Sequence, residues 1–337
     1  MKTTLIVDGN NLGFKIYASF KDGNGHLLTN SVGLPTTVIF GMLRSFEAFV
    51  RHKKVDQVLV AWDVGGGSAY RRSIYPLYKK NRVYKEMDDY FAELDACREY
   101  FEVLGIPQAP LKGIEADDTI GWLATRLSKG DDKVVIYSDD KDYYQLLGNK
   151  RIKIWRPCKE EFFSKRHLLE EYGDWVDFKP KHLILIDALC GQEKDFIPGA
   201  CDVDEENVKM IKFQFGPAKA KKLLEASGYD MKVAYTKLKE ALSEKFAVQL
   251  EKNWKQVLVS RKLSRIRVKD EHYSAEELKK LKDALKQIGK TQVKSQNVVR
   301  LVSDLELRTV DVFGILKNIG VEVIGKQQQK TGMKIIT

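Results

Sequence analysis

The chain is poor in the residues that build cross-linked or zinc-bound proteins. It has four cysteines in 337 residues. Cys97, Cys158, Cys190 and Cys201 show no CxxC spacing, so they read as reduced thiols rather than a disulfide framework. The five histidines (His26, His52, His167, His182 and His272) are scattered, with no HExxH pair, which argues against a zinc site. Apolar runs are of strand length only, far short of a membrane span. No signal-like segment precedes the first strand, and the expected location is the cytoplasm. Gly65-Gly66-Gly67-Ser68 lacks the Walker lysine and the strand–glycine–helix context of a phosphate loop, so it reads as a flexible turn. Charge is plentiful: 57 Lys and Arg against 47 Asp and Glu give a net +10. That excess is a weak sign of a polyanionic partner, because lysine-rich solvated helices would also produce it.

The carboxylates follow a pattern. Thr3–Val7 is a short apolar run that reads as a buried strand, with Asp8 at its carboxyl end. Val55–Trp62 reads as a second strand closed by Asp63, and Lys133–Tyr137 as a third, followed by Ser138-Asp139-Asp140-Lys141-Asp142. Ile152–Trp155 is a further candidate strand. Helical segments alternate with these runs: Ser31–Phe49, Ala92–Leu104 and the amphipathic stretch that begins near Ala116. The alternation predicts an α/β fold with a largely parallel sheet. In such sheets ligands bind outside the carboxyl ends of the strands, where Asp8, Asp63 and the Asp140/Asp142 pair would stand.

Glu115-Ala116-Asp117-Asp118 opens the helix that carries Ile120, Leu123, Ala124 and Leu127. Acidic residues suit a helix N-terminus. Three carboxylates in four residues nevertheless repel one another unless a positive group sits among them, and a hard divalent cation with oxygen ligands is the obvious candidate. Tyr70 to Tyr90 has a different character. Arg71, Arg72, Lys79, Lys80, Arg82 and Lys85 are interleaved with Tyr70, Tyr75, Tyr78 and Tyr84. Basic groups meet phosphates and rings stack on bases, so this stretch reads as a nucleic-acid-binding segment.

Further on, Pro180 opens a helix that runs through Leu189, and Asp202–Glu206 looks like an inserted acidic surface loop. Phe215-Gly216-Pro217 turns into a helix bearing Lys219, Lys221 and Lys222, whose N-terminus could hold a phosphate. Tyr229–Ile266 is mostly helical and basic. Ser274 and Glu277 form a capping box for a helix that ends near Gly289. Val299–Leu305 is a possible strand or short helix, Arg308–Ile319 a last helix, and the tail around Gln327–Gly332 looks frayed.

Taken in order and spacing, four motifs resemble the 5′→3′ exonuclease/flap endonuclease family, most closely its tailed-phage members. They are Leu5-Ile6-Val7-Asp8-Gly9-Asn10-Asn11; Asp63 with Tyr70-Arg71-Arg72 and Tyr75–Arg82; Gly113–Asp118; and Ser138–Asp142 with Gln145-Leu146. The resemblance covers about residues 3 to 265. It implies a PIN/FEN-like mixed, mostly parallel sheet flanked by helices, with a helical arch over about residues 68–104. A nuclease core would span residues 1–190 and a helical duplex-binding region residues 191–337, including a degenerate helix-hairpin-helix at about 208–226. It implies a metal-dependent phosphodiesterase using two Mg²⁺ or Mn²⁺ ions. Asp8, Asp63, Glu115, Asp117 and Asp118 would serve the first ion, directly or through water, and Asp140 and Asp142 would lie between the two ions or on the second, together with Asp195. Lys79 and Arg82 would stabilise charge at the scissile phosphate, with Tyr78 stacking a base and Arg71 binding substrate. Gly216, Lys219 and Lys221 would meet the duplex.

The implied substrates are branched, flapped or nicked duplex DNA with a 5′ single strand, and RNA–DNA primers, cut during DNA replication. The protein would act as a monomer, away from membranes, alongside a single-strand-binding protein or a polymerase. Two departures stand out. Gln192 occupies the place of a second-site carboxylate and should weaken that ion's binding. Gln214 replaces the first glycine of the hairpin, which leaves both its tight turn and its K⁺ site open. The rival readings are a DNA-structure-binding protein without metal chemistry, and a PIN-type ribonuclease.

Overall fold

The computed structural model describes residues 1–24, 27–82, 87–211, 213 and 215–325. His26, Tyr84, Lys85, Gln214 and the Gln327–Gly332 tail lie outside the described residues.

A six-stranded sheet organises the chain in the order β3-β2-β1-β4-β5-β6. The strands are β1 (Thr3–Asp8), β2 (Gln57–Trp62), β3 (Gln108–Pro110), β4 (Lys133–Tyr137), β5 (Ile152–Arg156) and β6 (Glu161–Phe163). All neighbours run parallel except β5 and β6. Both faces are covered, and every residue of β1 and β2 is buried. This explains why these strands read as continuous apolar runs.

Successive side chains enter opposite cores. Leu5, Val7, Val58, Val60, Val135 and Tyr137 face α1 (Gly9–Asn24), α2 (Thr37–His52) and α4 (Asp88–Val103). Between α2 and α4 lies the short α3 (Ala69–Ile74). Ile6, Leu59, Val134 and Ile136 enter the other core, against α5 (Ala116–Leu127). α6 (Lys165–Glu171), α7 (Leu183–Cys190) and α8 (Pro217–Ala226) extend that layer. Its outer part is made of α9 (Met231–Thr236), α10 (Leu238–Ala241), α11 (Glu244–Lys252), α12 (Trp254–Leu263) and α13 (Ala275–Gln287). Each fully buried Val, Leu, Ile or Phe contributes about 1.5–3 kcal/mol.

Several boundaries differ from expectation. α2 starts at Thr37, not Ser31, because Pro35 disfavours helix at the residue before it and pairs with Thr29 in an isolated bridge. The acidic 202–206 stretch is a hairpin and not a loop: β7 (Asp202–Asp204) pairs antiparallel with β8 (Lys209–Ile211). Val299–Leu305 is the second half of a helix, α14 (Ser295–Asp304), and its C-terminal cap. The last helix, α15 (Val312–Asn318), starts later than Arg308, where the Asp311 side chain accepts from Gly314 N at 2.9 Å. The Ser274–Glu277 capping box forms as read.

The end of the described chain returns to the sheet. β9 (Gln292–Lys294) pairs with β10 (Glu322–Ile324). Val298, Leu301 and Leu316 share a core with Phe46 and Phe101, and Val55 N donates to Asn318 O at 3.1 Å. Residues on both sides of 190 therefore build each core. Within the span expected as an arch, Leu94, Cys97 and Phe101 of α4 also belong to the core.

Candidate active site

β1 lies between β2 and β4, so Asp8, Asp63 and Asp140 stand side by side at one sheet edge. Gly9 lets the chain turn there, since a Cβ would lie 2.4 Å from the Trp62 ring. Asp8 is 7% exposed. Its Oδ1 accepts from Asn11 N at 3.1 Å, and its Oδ2 from Tyr143 OH at 2.9 Å and Ser138 Oγ at 3.2 Å. Burial first, then Asp63 and Asp140, push its carboxyl up to about 7. Asp63 is exposed, and its Oδ1 accepts from Ala116 N at 2.7 Å, tying the end of β2 to the start of α5. Asp140 caps a 3₁₀ turn over Lys141–Gly148 by accepting from Asp142 N at 2.9 Å. Asp139 points elsewhere, to Lys15 Nζ at 2.6 Å.

A second acidic group adjoins the first. Burial, followed by Asp140, Asp187 and Asp195, pushes Asp142 up to about 7. Asp187 rises to about 6 through burial and Asp140, opposed by a hydrogen bond from Gln192. Gln192 Nε2 also donates to Asp142 Oδ1 at 3.4 Å. The turn that presents Gln192 and Asp195 is set by Gly191 (φ +75°) and Gly199 (φ +58°), whose backbones meet too closely for any Cβ.

The Glu115 quartet is organised differently from its sequence reading. Oxygens of Glu115, Asp117 and Asp118 lie within 4.8 Å of one another. The positive group among them is the guanidinium of Arg71, itself 2% exposed. Arg71 pairs with Glu115, with Asp118 at 2.9 and 3.0 Å, and with Asp117 at 3.4 Å. It also donates to Leu263 O at 2.9 Å and Arg265 O at 3.2 Å. Asp118, fully buried, further accepts from Arg267 Nε at 2.6 Å and Arg267 N at 2.8 Å. The Arg267 guanidinium lies over the rings of Tyr70 at 4.2 Å and Tyr273 at 4.4 Å. Burial opposes the charge of Glu115, but Arg71 and Lys79 outweigh it and hold the carboxyl at about 2. Asp117 is raised by burial, with Arg71 opposing.

The basic stretch sits on this acidic centre. Lys79 Nζ donates to Glu115 Oε1 at 2.5 Å, and Arg82 pairs with Asp195. Lys79 N donates to Asp195 O at 2.9 Å. Arg71 and Tyr78 are covered rather than presented outward. The Tyr78 ring is 2% exposed, packed with Ile197 and Leu263, and has Lys79 Nζ 5.0 Å from its centre. Gly216 caps α8 in extended backbone. Lys219 lies over Phe246 at 4.4 Å, and Lys221 is paired with Asp174 at 2.7 Å, so neither lysine reaches the acidic centre.

Two residues of the site escaped the sequence reading. Asp187 is a single carboxylate in the otherwise apolar helix Leu183–Cys190, which was its one signal. Arg267 had no local signal, because its partner Asp118 is 149 residues away.

An α/β sheet with carboxylates converging at its strand ends, and basic residues closing over them, defines a nuclease of the metal-binding type. The chain belongs to the 5′-3′ exonuclease family: the description "5′-3′ exonuclease, N-terminal resolvase-like domain" matches residues 3–173. A 5′-3′ exonuclease of Aquifex aeolicus is 31% identical over 216 residues, 64% of this chain and 71% of that protein. DNA polymerase I of Bacillus subtilis is 31% identical over 247 residues, 72% of this chain but only 26% of the polymerase. The flap endonuclease of bacteriophage T5, solved with DNA and metal ions, has a TM-score of 0.66 at 19% identity, covering 85% of this chain and 99% of that one. That likeness establishes the fold. Among the described residues, no helix is long and apolar enough to cross a membrane.

Proposed function

We propose that the protein is a Mg²⁺- or Mn²⁺-dependent 5′→3′ exonuclease and 5′-flap endonuclease that removes flaps and RNA primers from duplex DNA. The observation that carries this is the convergence of Asp8, Asp63 and Asp140 at one sheet edge. The oxygen-only donor set fits a hard cation. Asp8 supports the fit, since a carboxyl pushed to about 7 by burial and by its acidic neighbours is one that a bound cation would keep charged.

Asp8, Asp63 and the edge of the quartet at Asp117 would hold one ion, and Asp140, Asp142 and Asp195 a second. Glu115 and Asp118 act mainly through Arg71, Lys79 and Arg267. Two such ions, when bound, supply an activated water and stabilise both oxygens of the displacement. Lys79 and Arg82 are held next to the site by Glu115 and Asp195. A phosphodiester can take over those donors, and both then neutralise charge developing on it. Arg71 and Tyr78 support this arrangement from beneath. Gly216 and Lys219 remain candidates for duplex contact at the start of α8.

A labelled 5′-flap duplex with Mg²⁺ tests the proposal. Asp8→Asn and Lys79→Ala should each lower turnover by orders of magnitude while the protein stays folded and Asp8→Asn still binds DNA in EDTA. Cleavage at the parent rate by either variant refutes the assignment. Cleavage that persists in EDTA refutes the metal.

A further inference from the structure

The segment from Leu263 to Val268 forms a wall between two spaces. On one side its backbone carbonyls at Leu263 and Arg265 hold Arg71 beneath the acidic centre. On the other side lies a cleft of about 870 Å³ that the site above does not use. Gln145 stands at its edge, and its Nε2 donates to Asp142 O at 2.8 Å and Ser264 O at 3.2 Å. The cleft therefore begins three residues from a carboxylate of the catalytic edge.

Its charges are unbalanced. Lys181, Arg261 and Arg265 line it, and none of the three makes a salt bridge among the described residues. Arg261 Nε is covered and has no hydrogen-bond partner among the described residues. A covered donor without an acceptor is costly, and a phosphate oxygen would remove that cost. Two of the acids on the wall are already used. Glu225 accepts from Val176 N at 2.7 Å, and Asp230 caps α9 through Lys232 N at 2.7 Å; Asp177 is the third. Titration directions agree with a positive interior. Arg261 is lowered by burial and then by Arg265, and His182 falls to about 4 through burial, Lys181 and Lys179. The cleft also has a flat wall, the His182 and Tyr229 rings stacked 3.8 Å apart at 14°.

We propose that this cleft binds the sugar–phosphate backbone of the DNA strand that continues from the catalytic edge past Gln145, with Lys181, Arg261 and Arg265 on phosphate oxygens and the His182–Tyr229 pair against a sugar or base. The assignment rests on the nuclease reading, because the strand must come from the catalytic edge. It is a binding surface only: none of these side chains touches the acidic centre.

The test is binding in EDTA, read by fluorescence anisotropy of a labelled 5′-flap duplex across a salt series. Lys181→Glu with Arg265→Glu should weaken binding and make the slope of log affinity against log salt shallower by roughly 1.8, for two phosphate contacts at ~0.9 each. The distant pair Lys54→Glu with Lys317→Glu, of equal charge change, should leave the slope unaltered. Arg261→Gln is the second variant, with circular dichroism reporting its fold, and should shift the slope by about half as much. Equal slopes for parent and both cleft variants would overturn the proposal. So would loss of mononucleotide binding with duplex affinity intact, which would mark a nucleotide pocket instead. A protein that binds flap DNA through the cleft yet cleaves nothing would refute the nuclease reading and leave the cleft standing.

Discussion

Replacing Arg71 with alanine removes the positive centre of a buried acidic cluster. Arg71 is 2% exposed and binds Glu115, Asp117, Asp118 and the carbonyls of Leu263 and Arg265. Taking one partner out of a buried ion cluster costs about 3–5 kcal/mol, because the remaining charges stay buried without it. Glu115 gives a second route to the size. Held at about 2 instead of 4.5, its carboxyl contributes about 3 kcal/mol of stability above pH 4.5. Its folded pKa lies below the unfolded one, so this contribution is lost as pH falls from 4.5 towards 2. Unfolding entropy of ~2.1 cal/mol/K per residue gives ~0.7 kcal/mol/K for this chain, so a loss of about 4 kcal/mol lowers Tm by roughly 6 °C.

The assay is differential scanning calorimetry in EDTA between pH 2.5 and 7, for the parent and Arg71→Ala. The variant should melt lower at neutral pH and lose less of its stability on acidification. Divalent cation should stabilise the variant more than the parent, since three carboxylates within 4.8 Å are then left with less positive charge among them. A Tm within about 1 °C of the parent and an unchanged acid-side slope would refute the reasoning.

Three further outcomes are expected. Asp8→Asn should be more stable than the parent in EDTA at pH 8 by about 1–2 kcal/mol, because a carboxyl raised to about 7 is a destabilising charge once ionised; a drop in Tm would contradict this. Asp8 and Asp142, both raised from 3.8 to about 7, bind more protons folded than unfolded. Their contribution to apo stability must therefore fall as pH rises from about 4 to about 7, and Mg²⁺ affinity should increase over the same range, which calorimetric titration measures. Gln192→Asp should tighten the weaker metal-binding step and Asp187→Asn should loosen it; equal, tight binding of two ions by the parent would remove the basis for both.

The sheet was legible in the sequence because a strand buried on both faces must be apolar along its whole length, as β1 and β2 are. Strand ends could then be read from the first carboxylate after each run, which gives Asp8 and Asp63; after β4 the first carboxylate, Asp139, turns to Lys15, and Asp140 takes the edge position. The Glu115–Asp118 quartet was legible as a cluster needing positive charge. Its sequence could not say which charge. Arg71 comes from 47 residues away in the chain and Arg267 from 149, and only the packing of the Leu263–Val268 segment against α5 brings them to Asp118. Asp187 is a single carboxylate in an apolar helix, and the glycine-paired turn at Gly191 and Gly199 brings Gln192 beside it. Local periodicity thus determined which strand ends bring carboxylates to the candidate site. The long-range packing of the basic side chains decided which of those carboxylates are neutralised by the protein itself and which are left for a cation.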